Sequence, residues 1–142
     1  MAFLTLGAPP PAKKRRLYLM EITLPSGMQV VKCGVASGSS SKERMMQINS
    51  SIYDKFRSTA MIKIKRDKEV DGEDVFKFEN SVHKFFFNYQ YDTTHKFDGC
   101  TECFCVPIED MVQAYELIIE GVVPDFQYQM PSTKEAEDSL PF

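Results

Sequence analysis

The sequence predicts a small domain of the α/β class, built as an α+β sandwich in which helices flank a central mixed sheet of three or more strands. Three observations support this fold class. Two adjoining apolar runs separated by a glycine-containing turn indicate a hairpin, and two later segments repeat apolar residues at helical spacing. The chain has 142 residues, of which 43% are hydrophobic, so it is long enough to bury one core.

The first two elements are the strands of the hairpin. They flank a three-residue turn and comprise Leu17 to Leu24 and Met28 to Ala36. A three-residue loop with Gly27 in the left-handed conformation sets the pairing register. That register places Tyr18 opposite Gly34 and brings Lys32 onto the face that carries Tyr18.

A helix is expected next, with Ser40 as its N-cap and Glu43 completing a capping box. Arg44 lies in its first turn, and Met45, Ile48 and Ile52 follow at helical spacing. Such a spacing predicts that one side of this helix packs on the sheet.

The segment Thr59 to Arg66 alternates apolar and basic residues, which predicts a third, half-buried strand with Lys63 and Lys65 facing outward. A polar turn is expected over Asp67 to Gly72. A second helix should then run from Asp74 to Asn88.

The last elements are a loop with a short strand within Phe97 to Val106 and a third helix that ends near Glu120. Pro107 suits the first position of that helix, and the acids that follow it favour a helix N-terminus. The expected organisation is therefore an N-terminal arm over 1–14, a folded domain over 15–123 and an acidic tail over 124–142.

Neither a signal peptide nor a membrane-spanning run is recognisable, so a cytoplasmic protein with reduced cysteines is expected. The net charge of −3 conceals an asymmetry. Twelve basic and three acidic residues lie between Ala12 and Arg66, against five basic and seventeen acidic residues from Asp67 onward. A basic half can attract phosphate even in an acidic protein, although the two halves could instead neutralise each other across the fold.

Five residues form a candidate catalytic constellation: Tyr18, Lys32, Arg44, Glu79 and His83. Glu79 and His83 are four residues apart on a predicted helix, so they share one face. A carboxylate that binds Mg²⁺ or Mn²⁺, an arginine for phosphate and a phenol for the attacking water suit phosphodiester hydrolysis. Each residue also has a structural explanation, for example a surface pair for Glu79 and His83, and spacing alone does not decide between them.

Several segments in the same order resemble the GIY-YIG nuclease superfamily, in particular its phage-type branch with Lys-X-Gly in the second motif. These are Leu17-Tyr18-Leu19-Met20, Val31-Lys32-Cys33-Gly34, Glu43-Arg44, the run from Phe78 to Phe86 around Glu79, and Gly99 to Phe104 with its Gly…Glu-X-Phe pattern. One departure is Arg16, which stands where many members have a glycine.

The resemblance implies an endonuclease that hydrolyses DNA with one divalent ion, Mg²⁺ or Mn²⁺, in a phage or its bacterial host. Tyr18 would be the general base, Lys32 would help to position or deprotonate water, and Arg44 would stabilise the phosphate. Glu79 would be the single metal ligand from protein, and His83 a neighbouring or phosphate-contacting residue.

Basic residues near the constellation are candidates for nucleic-acid binding: Lys13, Lys14, Arg15, Arg16, Lys63 and Lys65. The run from Lys13 to Arg16 could also be a nuclear-targeting signal or a solvated strand entrance. A zinc site involving Cys100, Cys103, Cys105 and His95 is the weaker alternative to buried, reduced cysteines, because the second ligand pair is missing.

The C-terminus combines acids with a final Pro-Phe, and so resembles the tip of bacterial single-stranded-DNA-binding proteins. Asp138, Pro141 and Phe142 are the candidate contacts to a host protein that binds such tips. A solubilising tail is the structural alternative. The alternative function is accordingly a catalytically weak nucleic-acid-binding or adaptor protein that recruits replication or repair partners, and a zinc-stabilised interaction module is a third possibility.

Overall fold

A computed structural model describes residues 14–38, 40–92 and 96–130 of the chain. The strands are β1 (Arg15–Thr23), β2 (Gln29–Ala36), β3 (Met61–Val70) and β4 (Cys103–Phe104). The helices are α1 (Lys42–Phe56), α2 (Gly72–Phe85) and α3 (Ile108–Ile119). No helix in these ranges is long and apolar enough to cross a membrane.

The sheet has the strand order β3-β1-β2-β4 and is flanked by helices, which confirms the α+β class and the expected number of strands. Every pair of neighbouring strands is antiparallel, so the expectation of a mixed sheet was wrong in this detail. The turn before β2 reverses the chain direction, whereas the crossover through α1 brings β3 to the other side of β1 in the same direction as β2.

The predicted hairpin register is confirmed. Gly27 has a φ of +92°, and the Leu24 N–H donates to the Met28 carbonyl at 2.8 Å, which closes the turn. Tyr18 pairs with Gly34, and Lys32 pairs with Met20, two residues further along β1. Because side chains alternate across a strand, Tyr18 and Lys32 lie on the same face of the sheet.

Each face of the sheet buries one apolar cluster. On one side, Leu17 and Leu19 pack with residues of α2 and α3, among them Val82 and Tyr115. On the other side, Tyr18, Met20 and Ile22 pack with Ile48 and Ile52 of α1. Burial of each large aliphatic side chain contributes about 1.5–3 kcal/mol, so the alternation along β1 positions both helix layers.

The predicted capping box at the start of α1 was wrong. Ser41, not Ser40, is the N-cap, and its side chain forms no cap hydrogen bond with the helix. The Ser41 N–H instead donates to Asp67 Oδ2 at 2.9 Å. A carboxylate from β3 therefore replaces the local cap that the sequence suggested.

Strand β3 continues to Val70, so the turn expected over Asp67 to Gly72 was largely wrong. Polar residues remain extended there because β1 supplies backbone partners and cations, as in the pairing of Arg16 with Glu69. The remaining boundaries shift by a few residues: α2 ends at Phe85 before a 3₁₀ turn over Phe87–Tyr89, and Pro107 is the N-cap of α3.

The packed part of the chain continues beyond α3. Tyr128 donates its N–H to the Phe85 carbonyl at 3.0 Å, and its ring lies 4.8 Å from that of Phe86. The Met130 N–H donates to the Tyr89 hydroxyl at 2.9 Å. Residues 124–130, assigned to the tail from the sequence, thus cover the end of α2.

Candidate active site

Lys32 is the buried cation of the candidate site. Its side chain is 0% exposed, and its Nζ lies 2.5 Å from Glu102 Oε2 and 5.5 Å from the centre of the Tyr18 ring. Burial opposes the charged form, but Tyr18 and Glu102 favour it, and the pKa of Lys32 lies above its ordinary value. Lys32 is therefore a protonated, positioned ammonium in the resting protein.

Tyr18 is a fully buried phenol beside this ammonium. Its hydroxyl forms no hydrogen bond of acceptable geometry within the described part of the chain, although the Lys32 ammonium and the Arg44 guanidinium lie close enough to interact with its oxygen. Burial raises the pKa of Tyr18, while the nearby charges of Lys32 and Arg44 lower it without cancelling the effect of burial. A buried hydroxyl without a partner costs free energy, so this position is not optimised for stability alone.

Two glycines allow these side chains to converge. A Cβ on Gly34 would overlap the Tyr18 hydroxyl and lie 3.0 Å from Lys32 Nζ. A Cβ on Gly99, whose φ is +85°, would lie 2.8 Å from Lys32 Cε and 3.4 Å from Arg44 Nη2. The ends of Tyr18, Lys32 and Arg44 thus meet over backbone that has no side chain of its own.

Arg44 lies in the first turn of α1, on the face of the sheet that carries Tyr18 and Lys32. Its Nη1 donates to Asp98 Oδ2 at 2.7 Å and to Gln47 Oε1 at 3.3 Å. The hydrogen bond with Asp98 raises the pKa of Arg44 and lowers the pKa of Asp98. The Asp98 N–H donates to Ser51 Oγ at 2.8 Å, so the loop that carries this carboxylate is attached to α1.

Helix α2 brings Glu79 and His83 to the neighbouring edge of the site. One ligand atom from each of Glu79, His83 and Glu102 lies within 4.8 Å of the others. Burial and the charge of Glu102 raise the pKa of Glu79 to about 7, although Lys32 opposes the rise. Burial, and to a smaller extent repulsion from Glu102, therefore disfavours the charged form of Glu79 in the resting protein.

The ring of His83 is held by backbone. On β2, strand β4 pairs with Val31 and Lys32, and the carbonyl of the next residue, Cys33, accepts a hydrogen bond from His83 Nε2 at 2.8 Å. Because a carbonyl only accepts, Nε2 carries the proton and Nδ1 keeps its lone pair. Burial lowers the pKa of His83, which favours this neutral ring.

The five candidate residues of the constellation are brought together around Lys32. Sequence reasoning missed Glu102 and Asp98 as members of the site, although both lie in or beside the Gly…Glu-X-Phe segment. The available signal was a pair of acids, Asp98 and Glu102, on either side of Gly99. The cations of the site lie elsewhere in the chain. Only the fold shows that these acids contact Lys32 and Arg44.

The candidate nucleic-acid-binding residues lie mainly along β1 and β3, at the far side of the sheet from β4. Lys14 and Arg16 pair with Glu69 at 3.6 and 3.7 Å, and Arg16 also pairs with Asp67. Arg15 lies 5.6 Å over the Phe76 ring, and Lys65 lies 3.9 Å from Glu21. Lys63 is exposed, whereas Lys13 lies outside the described residues.

All four cysteines are free, and three of them are buried. Burial raises the pKa of Cys103 to about 12, so it remains a thiol. Within the described ranges, the only group of three candidate metal ligands contains no cysteine, while His95 falls outside those ranges. Asp138, Pro141 and Phe142 of the tail also lie outside them.

The fold and the site together define a small α+β domain with a phenol, two cations and a carboxylate–imidazole group at one sheet edge. The family model of the T5orf172 domain matches residues 16–119, and the chain belongs to this family. The T5orf172 domain is a phage-associated domain of the nuclease-related superfamily that includes GIY-YIG and HNH-like domains. No curated protein and no solved structure matches the chain.

Proposed function

We propose that this protein is a GIY-YIG-type endonuclease that hydrolyses DNA phosphodiester bonds with one divalent cation. The observation that carries the proposal is the convergence of Tyr18, Lys32, Arg44 and Glu79 from four separate elements onto one edge of the sheet. A nuclease-related family and a hydroxyl without a partner in this cluster support the same conclusion.

Arg44 is the proposed phosphate ligand. Its guanidinium is bound to the Asp98 carboxylate in the resting protein, and a phosphate presents oxygens with a similar charge and spacing. The Asp98 side chain is 55% exposed, so it can yield to an incoming phosphate without uncovering the core. Arg44 would then stabilise negative charge that develops on the phosphate in the transition state.

Tyr18 and Lys32 are proposed to position the attacking water. The Tyr18 hydroxyl has an unused hydrogen-bonding capacity, and the protonated Lys32 lies beside it. Because the pKa of Tyr18 is raised, the phenol is protonated at rest, and the Lys32 and Arg44 charges favour negative charge on its oxygen when a proton leaves.

Glu79 is the proposed ligand of Mg²⁺ or Mn²⁺. Its surroundings fit a divalent cation, because burial and a second carboxylate nearby raise its pKa to about 7, and a bound cation would favour the charged form that they disfavour. A bound divalent cation supplies positive charge that stabilises phosphate and leaving-group oxygens. Oxygen ligands are the ones that both of these ions prefer.

We propose that the DNA duplex lies across this edge of the sheet. Exposed basic side chains farther from the site attract its phosphates more weakly, because salt screens their charge. Lys63 on β3 is exposed and forms no ion pair with the described residues, so it can interact with phosphate. Arg16, by contrast, is already paired with two carboxylates. We propose accordingly that Arg44 and Lys32 contribute more to substrate binding than the basic run before β1.

Incubation of supercoiled plasmid with Mg²⁺ or Mn²⁺ tests the function. The wild type should cut the plasmid, and Glu79→Ala should reduce the rate by about 10²-fold or more, because it removes an electrostatic stabiliser of the transition state. Glu73→Ala, in the first turn of the same helix, is the matched control and should retain the rate. Binding without cleavage by the wild type and by Glu79→Ala would instead support the adaptor alternative and contradict the proposal.

A further inference from the structure

We infer that Glu79, His83 and Glu102 together form a three-ligand site for one divalent cation, with Glu102 shared between this cation and Lys32. The inference deepens the proposed function, on which it rests, because the family resemblance implied a single protein ligand. It assigns ligand roles to His83 and to Glu102.

The first argument is the donor set. Ligand atoms of the three residues lie within 4.8 Å of one another, so small side-chain movements would bring all three to one ion with bonds of about 2.1 Å. None of the three residues is fully buried, so an ion can reach them from solvent. Two carboxylates and an imidazole suit Mn²⁺ better than an all-oxygen site would, since imidazole is a ligand of transition metals.

The second argument is the orientation of His83. Its Nε2–H donates to the Cys33 carbonyl at 2.8 Å, which leaves the Nδ1 lone pair for a ligand. Metal-binding histidines almost always donate their other ring N–H to a carbonyl or carboxylate in this way. The hydrogen bond is therefore the supporting contact that a histidine ligand needs.

The third argument concerns the polar groups beside the donor set. The fully buried Tyr18 hydroxyl lacks a partner among the described residues and lies on the same side of the site as Lys32 Nζ. Lys32 Nζ is in turn 2.5 Å from Glu102 Oε2. The Tyr18 hydroxyl, the Lys32 ammonium and the Glu102 carboxylate thus follow one another in space. Such an arrangement is expected in a site whose hydrogen bonding is completed by a ligand and its bound water.

Sharing of Glu102 couples Lys32 to the cation. Lys32 and a divalent cation both attract this carboxylate, and they repel each other because both are positive. Removal of the Lys32 charge should therefore strengthen cation binding, whereas removal of a ligand should weaken it. Opposite signs for two neighbouring residues distinguish ligation from a general loss of structure.

Mn²⁺ binding to the full chain without DNA, measured by calorimetry and by the paramagnetic resonance of free Mn²⁺, tests the inference. Glu102→Gln and His83→Gln should each weaken binding by about 10- to 100-fold. Glutamine at position 83 can still donate to the Cys33 carbonyl, so it isolates the lost ring nitrogen. Lys32→Met should strengthen binding, and His83→Gln should reduce the preference for Mn²⁺ over Mg²⁺.

Asp98→Asn is the control with the same charge change in the same loop, and it should alter Mn²⁺ affinity by less than about threefold at physiological salt. Circular dichroism checks that each variant is folded. Equal affinities for Glu102→Gln and Asp98→Asn would overturn the inference, as would a folded wild type that binds no Mn²⁺.

The outcomes separate the inference from the proposed function. Plasmid cleavage that needs Glu79, with Mn²⁺ affinity indifferent to Glu102 and His83, would overturn the three-ligand site and leave the nuclease. Mn²⁺ binding that depends on all three ligands, in a protein that cuts no DNA, would sustain the site and overturn the nuclease.

Discussion

Two clusters of paired charges lie toward opposite edges of the same sheet, one toward β3 and the other toward β4. On the β3 side, Arg16 bonds to the Asp67 side chain and to the Asp67 carbonyl, and Asp67 also accepts the Ser41 N–H. On the β4 side, Lys32 pairs with Glu102 and Arg44 pairs with Asp98. Both clusters join distant segments of the chain through cation–carboxylate contacts.

The difference is what each cluster leaves unsatisfied. Around Asp67, hydrogen bonds outweigh the cost of burial and hold the pKa of this carboxyl below its ordinary value of 3.8. Around Lys32, a buried phenol has no partner and the pKa of Glu79 is raised to about 7. The first cluster also leaves a buried hydroxyl, that of Ser41, without a partner among the described residues, but its charges are paired with one another. The second cluster, in contrast, has free capacity for a cation and a phosphate.

The largest expected effect separates the two clusters by activity. Lys32→Met should reduce the rate of plasmid cleavage by about 10²-fold or more, since it removes a preorganised charge from the site. Arg16→Met, the matched change in the other cluster, should leave the rate per folded molecule within about threefold, because the Arg16 charge is paired with Asp67 and Glu69 and not with a residue of the candidate site. Comparable losses of activity in both variants would erase the distinction.

The next effect concerns stability. Asp67→Asn should lower the free energy of unfolding at pH 7 by about 2 kcal/mol, because it removes a charge-assisted hydrogen bond from Arg16. Denaturant titrations check this value. The folded-state pKa of Asp67 is depressed, so its contribution is present above the unfolded pKa and is lost as the pH falls through the folded pKa.

The pH dependence provides the control for that measurement. Asparagine resembles the protonated carboxyl, so the difference between wild type and Asp67→Asn should shrink as the pH falls below 3.8. A difference that persists unchanged at low pH would show that the Arg16–Asp67 charge pair contributes little.

The smallest expected effect concerns the resting state of Arg44. Asp98→Asn should tighten binding of a short DNA duplex in EDTA by about twofold to fivefold, because exposed ion pairs contribute up to about 1 kcal/mol. Fluorescence anisotropy measures the affinity. Asp54→Asn, an exposed acid on α1, changes the net charge equally and should have a smaller effect. Equal effects would mean that only the net charge matters.

Local sequence signals predicted the hairpin well. The turn length and Gly27 set the register, so the pairing of Tyr18 with Gly34 and the shared face of Lys32 followed from parity. The apolar spacing of Ile48 and Ile52 likewise identified the buried side of α1. These features depend on a few neighbouring residues, which is why they were predictable.

Long-range contacts were not predictable in the same way. The Asp67 carboxylate at the Ser41 N–H replaced a plausible local cap, and polar residues at the end of β3 became extended because β1 pairs with them. Glu102 contacts Lys32 across 70 positions in the chain, which no local pattern reports. The residues of the site could be named from motifs, whereas their carboxylate partners required the fold.

Removal of the Tyr18 hydroxyl is the most direct test of the central claim. That claim is that the residues at this edge are arranged for catalysis at the expense of stability. Tyr115 is the internal control, because it is equally buried but its hydroxyl donates to the Leu17 carbonyl at 2.7 Å. The measurement is the free energy of unfolding together with the plasmid cleavage rate for Tyr18→Phe and Tyr115→Phe.

Tyr18→Phe should leave stability unchanged or raise it by about 1 kcal/mol, because it deletes a buried polar group without a partner. It should slow cleavage by about 10²-fold or more, the contribution expected of a hydroxyl that positions the attacking water. Tyr115→Phe should lose about 1 kcal/mol of stability and keep its cleavage rate. A Tyr18→Phe protein that is less stable and cuts DNA at the wild-type rate would contradict the account.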